Sequence, residues 1–141
     1  TTGINALMKC ATETSGHYFD ECLYEPGVPT KHIKDCLFDN GYKSGEVVHC
    51  DHMLTKINAL RLLGVNAVKA IKGEGSVSFG IDKLNEVPCH YTSRSVNTEK
   101  ELNNYQWTCY GKIITNIPVD LWNHAMDAAR YGTVSRFFRG R

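Results

Sequence analysis

Between residues 47 and 91 the chain alternates short apolar runs with helical stretches, and this alternation narrows the possible folds more than any other feature. Residues 47–50 (VVHC) predict a short buried strand that ends at Asp51. Residues 54–63 predict a helix with Ile57, Leu60 and Leu63 turned inward, stopped by Gly64. Residues 65–70 predict a second strand. The glycine-containing loop Lys72-Gly73-Glu74-Gly75-Ser76 then leads into a helix over 76–84, and residues 88–91 predict a further strand. Strands and helices in strict alternation imply an α/β sheet with a parallel portion. In open sheets of that kind, sites gather at the C-terminal ends of the parallel strands. Asp51 stands at such an end.

The flanking segments add the rest of the pattern. Residues 5–12 and 17–24, joined by Thr14-Ser15-Gly16, predict a β-hairpin. A helix follows over 30–40, with Ile33, Cys36 and Leu37 on its apolar face and Asn40-Gly41 as its stop. Residues 97–105 predict a helix with Glu101 at its centre, and 106–110 with 112–114 predict a hairpin around Gly111. Residues 116–131 then read as a short loop, an acidic N-cap at Asp120 and a helix over 121–131. In that helix Asn123 and Asp127 are i,i+4 and His124 and Asp127 are i,i+3, so the three share one patch. Ala125, Ala128 and Ala129 allow close approach to a neighbouring element. Residues 132–141 form a basic tail whose default state is frayed.

At 141 residues the chain is expected to be one domain with a real core. A formal net charge of +1 decides nothing about partners, so any nucleic-acid contact must come from local patches. There is no apolar run of membrane length and no signal-peptide pattern. The start at Thr1 without a methionine suggests a processed or excised piece. The six cysteines form no C-x-x-C pair and lie mostly in apolar stretches, which fits reduced core thiols of a cytosolic protein. A zinc site from His49, Cys50 and His52 is a weaker alternative, because neighbours on a strand point to opposite faces.

Asp51 and Asp127 are the sharpest candidate pair. Two-metal phosphodiester hydrolysis needs several carboxylates converging on ions roughly 4 Å apart, and hard oxygen ligands suit Mg²⁺ or Mn²⁺. A strand-end Asp and a helical Asp could supply two of them if the last helix packs on the sheet. The competing reading is that Asp51 caps the helix after it, and that Asp127 lies on a solvated face. His124 could ligate the metal, or position or protonate a group beside it, or be a hydrogen-bonded surface histidine. Lys72 could touch a DNA phosphate from its glycine-flanked turn, although such glycines are more often punctuation. Arg136, Arg139 and Arg141, with Phe137 and Phe138, could touch nucleic acid or a partner.

Taken together, several segments resemble the C-terminal nuclease domain of the large terminase subunit of tailed bacteriophages. They are NHAMDAARY (123–131), KGEGSVSFGIDKL (72–84), ELNNYQW (101–107) with the preceding SVN (95–97), VVHCDHMLTKINALRLLG (47–64) and DECLYEPGVPTKHI (20–33). Their order and spacing also match, over nearly the whole chain. The resemblance implies an α/β, RNase H-like mixed sheet flanked by helices. It also implies metal-dependent cutting of concatemeric double-stranded phage DNA during packaging, with Mg²⁺ or Mn²⁺. Asp51 then matches the acid after the central strand, Asp127 the acid of the D-A-x-R-Y helix, and His124 a histidine three residues before that acid.

The resemblance also implies what the chain lacks. The family's first catalytic aspartate sits on a strand that would lie before Thr1, and the ATPase motor domain is likewise absent. Two of the usual three acids are therefore present, and this chain is expected to be weak or inactive alone. Loss of a central strand exposes two edges and invites strand exchange. Implied partners are double-stranded DNA, the portal and the small terminase subunit, with no membrane, in the cytoplasm of a bacterial host. A second reading is a non-catalytic DNA- or portal-interaction module of the packaging motor.

Overall fold

The computed structural model describes residues 4–51, 53–72, 75–104, 107–110, 113–118 and 124–138; of these, 104, 107–110, 113–118 and 136–138 are described by backbone alone. A long hairpin opens the chain, β1 (Ile4–Glu13) and β2 (Gly16–Pro26), followed by α1 (Thr30–Asp39). The alternating region is β3 (Val47–Cys50), α2 (Leu54–Leu62), β4 (Asn66–Lys69), α3 (Ser76–Asn85) and β5 (Cys89–Tyr91). It is followed by α4 (Val96–Asn104), β6 (Trp107–Tyr110), β7 (Ile113–Pro118) and α5 (His124–Phe138).

β1 pairs antiparallel with β2, which pairs parallel with β5. β3 pairs parallel with β4, and β6 pairs antiparallel with β7. The β2–β5 junction depends on Gly16. A Cβ there would lie 2.5 Å from the Pro88 carbonyl oxygen, the same oxygen that accepts the His17 N–H at 2.9 Å. One core cluster gathers Leu37 of α1, Ile57 and Leu60 of α2, Val65 and Ala67, with Leu7, Val48 and Cys50 packed against it.

β1 and β3 are the outer strands of their sheets, and a cavity of about 430 Å³ separates them. Five consecutive residues of β1 (6–10) and three of β3 (47–49) line it, with Ala128 and Gly132 of α5. A sheet face would offer alternate residues; consecutive ones mean that the cavity looks onto strand edges. The two edges run in opposite directions. Lys9 donates to the Asn40 carbonyl ahead of β3 (2.9 Å), and Lys56, beyond β3, donates to Asn5 near the start of β1 (2.5 Å).

Three expectations need correction. Residues 116–118 belong to β7 rather than to a loop. Leu63 follows the end of α2 and is exposed rather than inward. The last helix does not stop at residue 131 but continues to Phe138, taking in most of the expected tail. Its extension is packed, with Thr133, Val134 and Ser135 each about 1% exposed. Gly132 does not end the helix, because it is where the helix meets β1: a Cβ there would lie 2.9 Å from Cys10 Sγ. Ala125, Met126, Ala129, Arg130 and Tyr131 of α5 are also buried, whereas on its polar patch His124 is exposed and Asp127 half-buried. The expected N-cap Asp120, Asn123, Gly111 and residues 139–141 lie outside the described residues. No helix among the described residues is long and apolar enough to cross a membrane.

Candidate metal centre

Asp51 is the first residue beyond β3. The β3–β4 ladder closes with Ala70 N–H donating to the Cys50 carbonyl at 2.6 Å, and the chain then leaves the sheet. Because β3 and β4 are parallel, the segments after both strands emerge at the same edge. That brings Lys72 to Asp51, and the two form an ion pair. The pairing holds the Lys72 ammonium above its usual pKa. The helix-cap alternative for Asp51 is not realised: the N-cap of α2 is Met53, and it has no side-chain cap. Asp51 Oδ1 also lies 3.5 Å from the Tyr131 hydroxyl of α5.

Asp127 approaches from the other side, on the first turn of α5. It is half-buried, and burial pushes its carboxyl above the usual range. The Arg130 guanidinium opposes that shift across a 3.2 Å contact, while the charges of Asp51 and Glu101 add to it. Asp51 and Asp127 are thus within electrostatic reach of each other. Tyr131, on the same helix as Asp127, faces Asp51 through its hydroxyl. Burial, then Asp127 and Asp51, raise its hydroxyl pKa. Lys72 Nζ lies 5.6 Å and the Arg130 guanidinium carbon 4.7 Å from its ring centre.

Paired carboxylates of this kind call for a cation. Here Lys72 and Arg130 supply positive charge, and the Lys72 ammonium stands against Asp51 where a cation would. Oxygen donors at both acids suit a hard divalent ion such as Mg²⁺ or Mn²⁺. Among the described residues no three His, Cys, Asp or Glu side chains gather as a metal site. Asp51 and Asp127 thus fit such an ion as part of a ligand set.

The other sequence candidates are placed differently. His124 opens α5 and is exposed, with its ring edge-on to Tyr24 at 6.2 Å. Lys72, the candidate phosphate contact, forms an ion pair with Asp51 in this structure. The Arg136 side chain and Arg139 lie outside the described residues, as does His52 of the zinc alternative. Burial raises the Cys50 thiol to about 11, and the residue packs against the core cluster. Sequence reasoning missed Glu101 and Tyr131. Glu101 on α4 accepts the Met126 N–H at 2.9 Å, one residue before Asp127. Its one sequence signal was a charged residue at the centre of a short helix.

No family model matches the chain, and no curated protein matches it by sequence. Among solved structures it is similar to the nuclease domain of g2p, the large terminase of bacteriophage SPP1, solved with bound Mn. The two are 22% identical and superpose with a TM-score of 0.79, over 96% of this chain and 85% of that one. The chain has the fold of a large-terminase nuclease domain. The RNase H-like α/β architecture expected from the sequence is thus the one observed.

Proposed function

We propose that the chain is a metal-dependent endonuclease domain of a phage DNA-packaging terminase, acting on concatemeric double-stranded DNA in the cytoplasm of a bacterial host. The observation that supports this reading is a fold shared with a nuclease domain solved with bound Mn, in which Asp51 follows β3 and lies 3.5 Å from the Tyr131 hydroxyl of the helix that carries Asp127. Asp51 and Asp127 would hold Mg²⁺ or Mn²⁺. When bound, such ions polarise the scissile phosphate and lower the pKa of a water nucleophile. His124, exposed at the start of α5, would orient or protonate a group at the phosphate. Lys72, Arg136 and Arg139 would contact the DNA backbone, and the portal and small terminase subunit are the proposed protein partners.

The β1–β3 cavity bears on how the site is completed. One strand antiparallel to β1 and parallel to β3 would join the two sheets, because those edges oppose each other. Its C-terminal end would lie beside Asp51. A strand from preceding polypeptide would fit there with the expected third acid, and strand exchange between copies would use the same edges.

Incubation of supercoiled plasmid with the chain and Mn²⁺ is the direct test. Nicking is expected, weak, abolished by EDTA and lost in Asp51→Ala and Asp127→Ala. Cutting that survives Asp127→Ala would remove that residue from the site. The second reading is a non-catalytic DNA- or portal-holding module of the packaging motor. It predicts DNA retention in gel-shift assays with no cutting at any Mn²⁺ concentration.

A further inference from the structure

Two buried carboxylates lie outside the Asp51–Asp127 pair, and they form a connected series. Glu21 of β2 accepts the Thr98 N–H at 2.7 Å, the Thr98 hydroxyl at 2.8 Å and the Asn97 amide at 3.0 Å. The Glu21 N–H in turn donates to the Ser95 hydroxyl at 2.9 Å. The first turn of α4 is thereby tied to β2. One turn further along α4, Glu101 is 1% exposed. One of its oxygens accepts the Met126 N–H at 2.9 Å and the other accepts the Tyr24 hydroxyl at 2.5 Å. Burying a carboxylate is costly unless its lone pairs are used, and these are. Met126 is in the first turn of α5, where N–H groups have no intrahelical acceptor and a negative charge is favoured. Glu101 is therefore a cap for α5 that comes from another helix.

We infer that Glu101 is a positioning residue for Asp127, acting through the backbone of the α5 first turn. Glu21 fixes α4 on the sheet, α4 presents Glu101, and Glu101 holds the peptide that precedes Asp127. Tyr24 supports the free Glu101 oxygen and packs edge-on against His124. Glu101 stands to a metal at Asp127 as an outer-shell group that orients a ligand. The inference rests on the proposed role of Asp127 as a ligand.

The test uses the 141-residue chain and three readouts: Mn²⁺ affinity by calorimetry, amide exchange at Met126, and the thermal midpoint. Glu101→Asp keeps the charge but withdraws the oxygens by one methylene. It should speed Met126 exchange and weaken Mn²⁺ binding about tenfold. Glu101→Gln keeps an oxygen within reach of Met126 and should retain most of the affinity. A Glu101→Asp chain with a lowered midpoint but unchanged Mn²⁺ affinity would reduce Glu101 to a stability role and overturn the inference. Unchanged Met126 exchange would overturn it as well. Asp127→Asn separates the two ideas. If that variant binds Mn²⁺ like the wild type, the ligand reading fails, while Met126 exchange still reports whether Glu101 holds the turn.

Discussion

Two aspartates of this chain are shifted in opposite directions, and each shift predicts an effect of the opposite sign. Asp127 is half-buried beside Asp51 and Glu101, so its carboxyl sits above the ordinary value of 3.8. A group that binds its proton more tightly folded than unfolded loses stability when it ionises. That loss begins as the pH rises past the unfolded value and is complete above the folded one. At neutral pH the Asp127 charge therefore destabilises the metal-free chain. Asp127→Asn should raise its thermal midpoint there, and the gain should shrink as the pH falls into the ordinary carboxylate range. The same variant should lose the Mn²⁺-dependent rise in midpoint that a bound ligand gives the wild type. Asp20 is the converse. Two short bonds from Arg94, at 2.7 and 2.8 Å, hold its carboxyl below 3.8. Its contribution is present at neutral pH and is lost as the pH falls through the folded value. Because Arg94 is exposed and the pair is screened by solvent, Asp20→Asn should lower the urea midpoint only slightly at neutral pH. Equal stability of the two chains at neutral pH would show that the pair is only a surface contact.

The elements show which parts of a fold a sequence displays. The opening hairpin and the alternating region were legible, because apolar period and turn residues act locally: Ser15-Gly16 closes the β1–β2 turn, and Gly64 follows α2 in the left-handed region at φ +89. The extent and setting of α5 were not legible. The helix was expected over 121–131, yet it runs on through Gly132, which is small for contact with Cys10, and polar Thr133 and Ser135 are buried. The Asp51–Asp127 pair was partly legible, from a strand end and a helical spacing. Lys72 and Tyr131 reach Asp51 only because two parallel strands end together and α5 crosses beside them. The role of Glu101 was not legible for the same reason, since its partners Tyr24 and Met126 are 77 and 25 residues away. The α3–α5 contact makes the point testable. A Cβ at Gly80 would lie 2.4 Å from Arg130 Cγ and 2.9 Å from Val134 Cγ2, both on α5. Gly80→Ala should therefore destabilise the chain by about 1–3 kcal/mol despite the better helix propensity of alanine. An unchanged urea midpoint would show that α5 can move away freely.

At the scale of the molecule, the cavity between β1 and β3 sets the chain apart from a closed sheet. Edge strands are templates for further pairing unless they are covered or charged. β1 offers Ala6, Leu7, Met8 and Cys10 along the cavity, with Lys9 as the one charge among the five β1 lining residues. Lys9 is turned to the Asn40 carbonyl. Little in that edge repels an incoming strand. The chain should therefore self-associate reversibly as its concentration rises, and sedimentation velocity should show a shift from monomer to dimer. Ala128 lines the cavity from α5, so Ala128→Leu should fill space that an inserted strand needs. It should suppress the dimer while leaving the thermal midpoint of the monomer close to that of the wild type. Both chains dimerising equally would place the contact elsewhere, for instance on the exposed Leu54 and Leu62 of α2. A monomer at every concentration would show that the two edges do not recruit a strand from another copy. Completion of the proposed metal site beside Asp51 would then not come from a second copy.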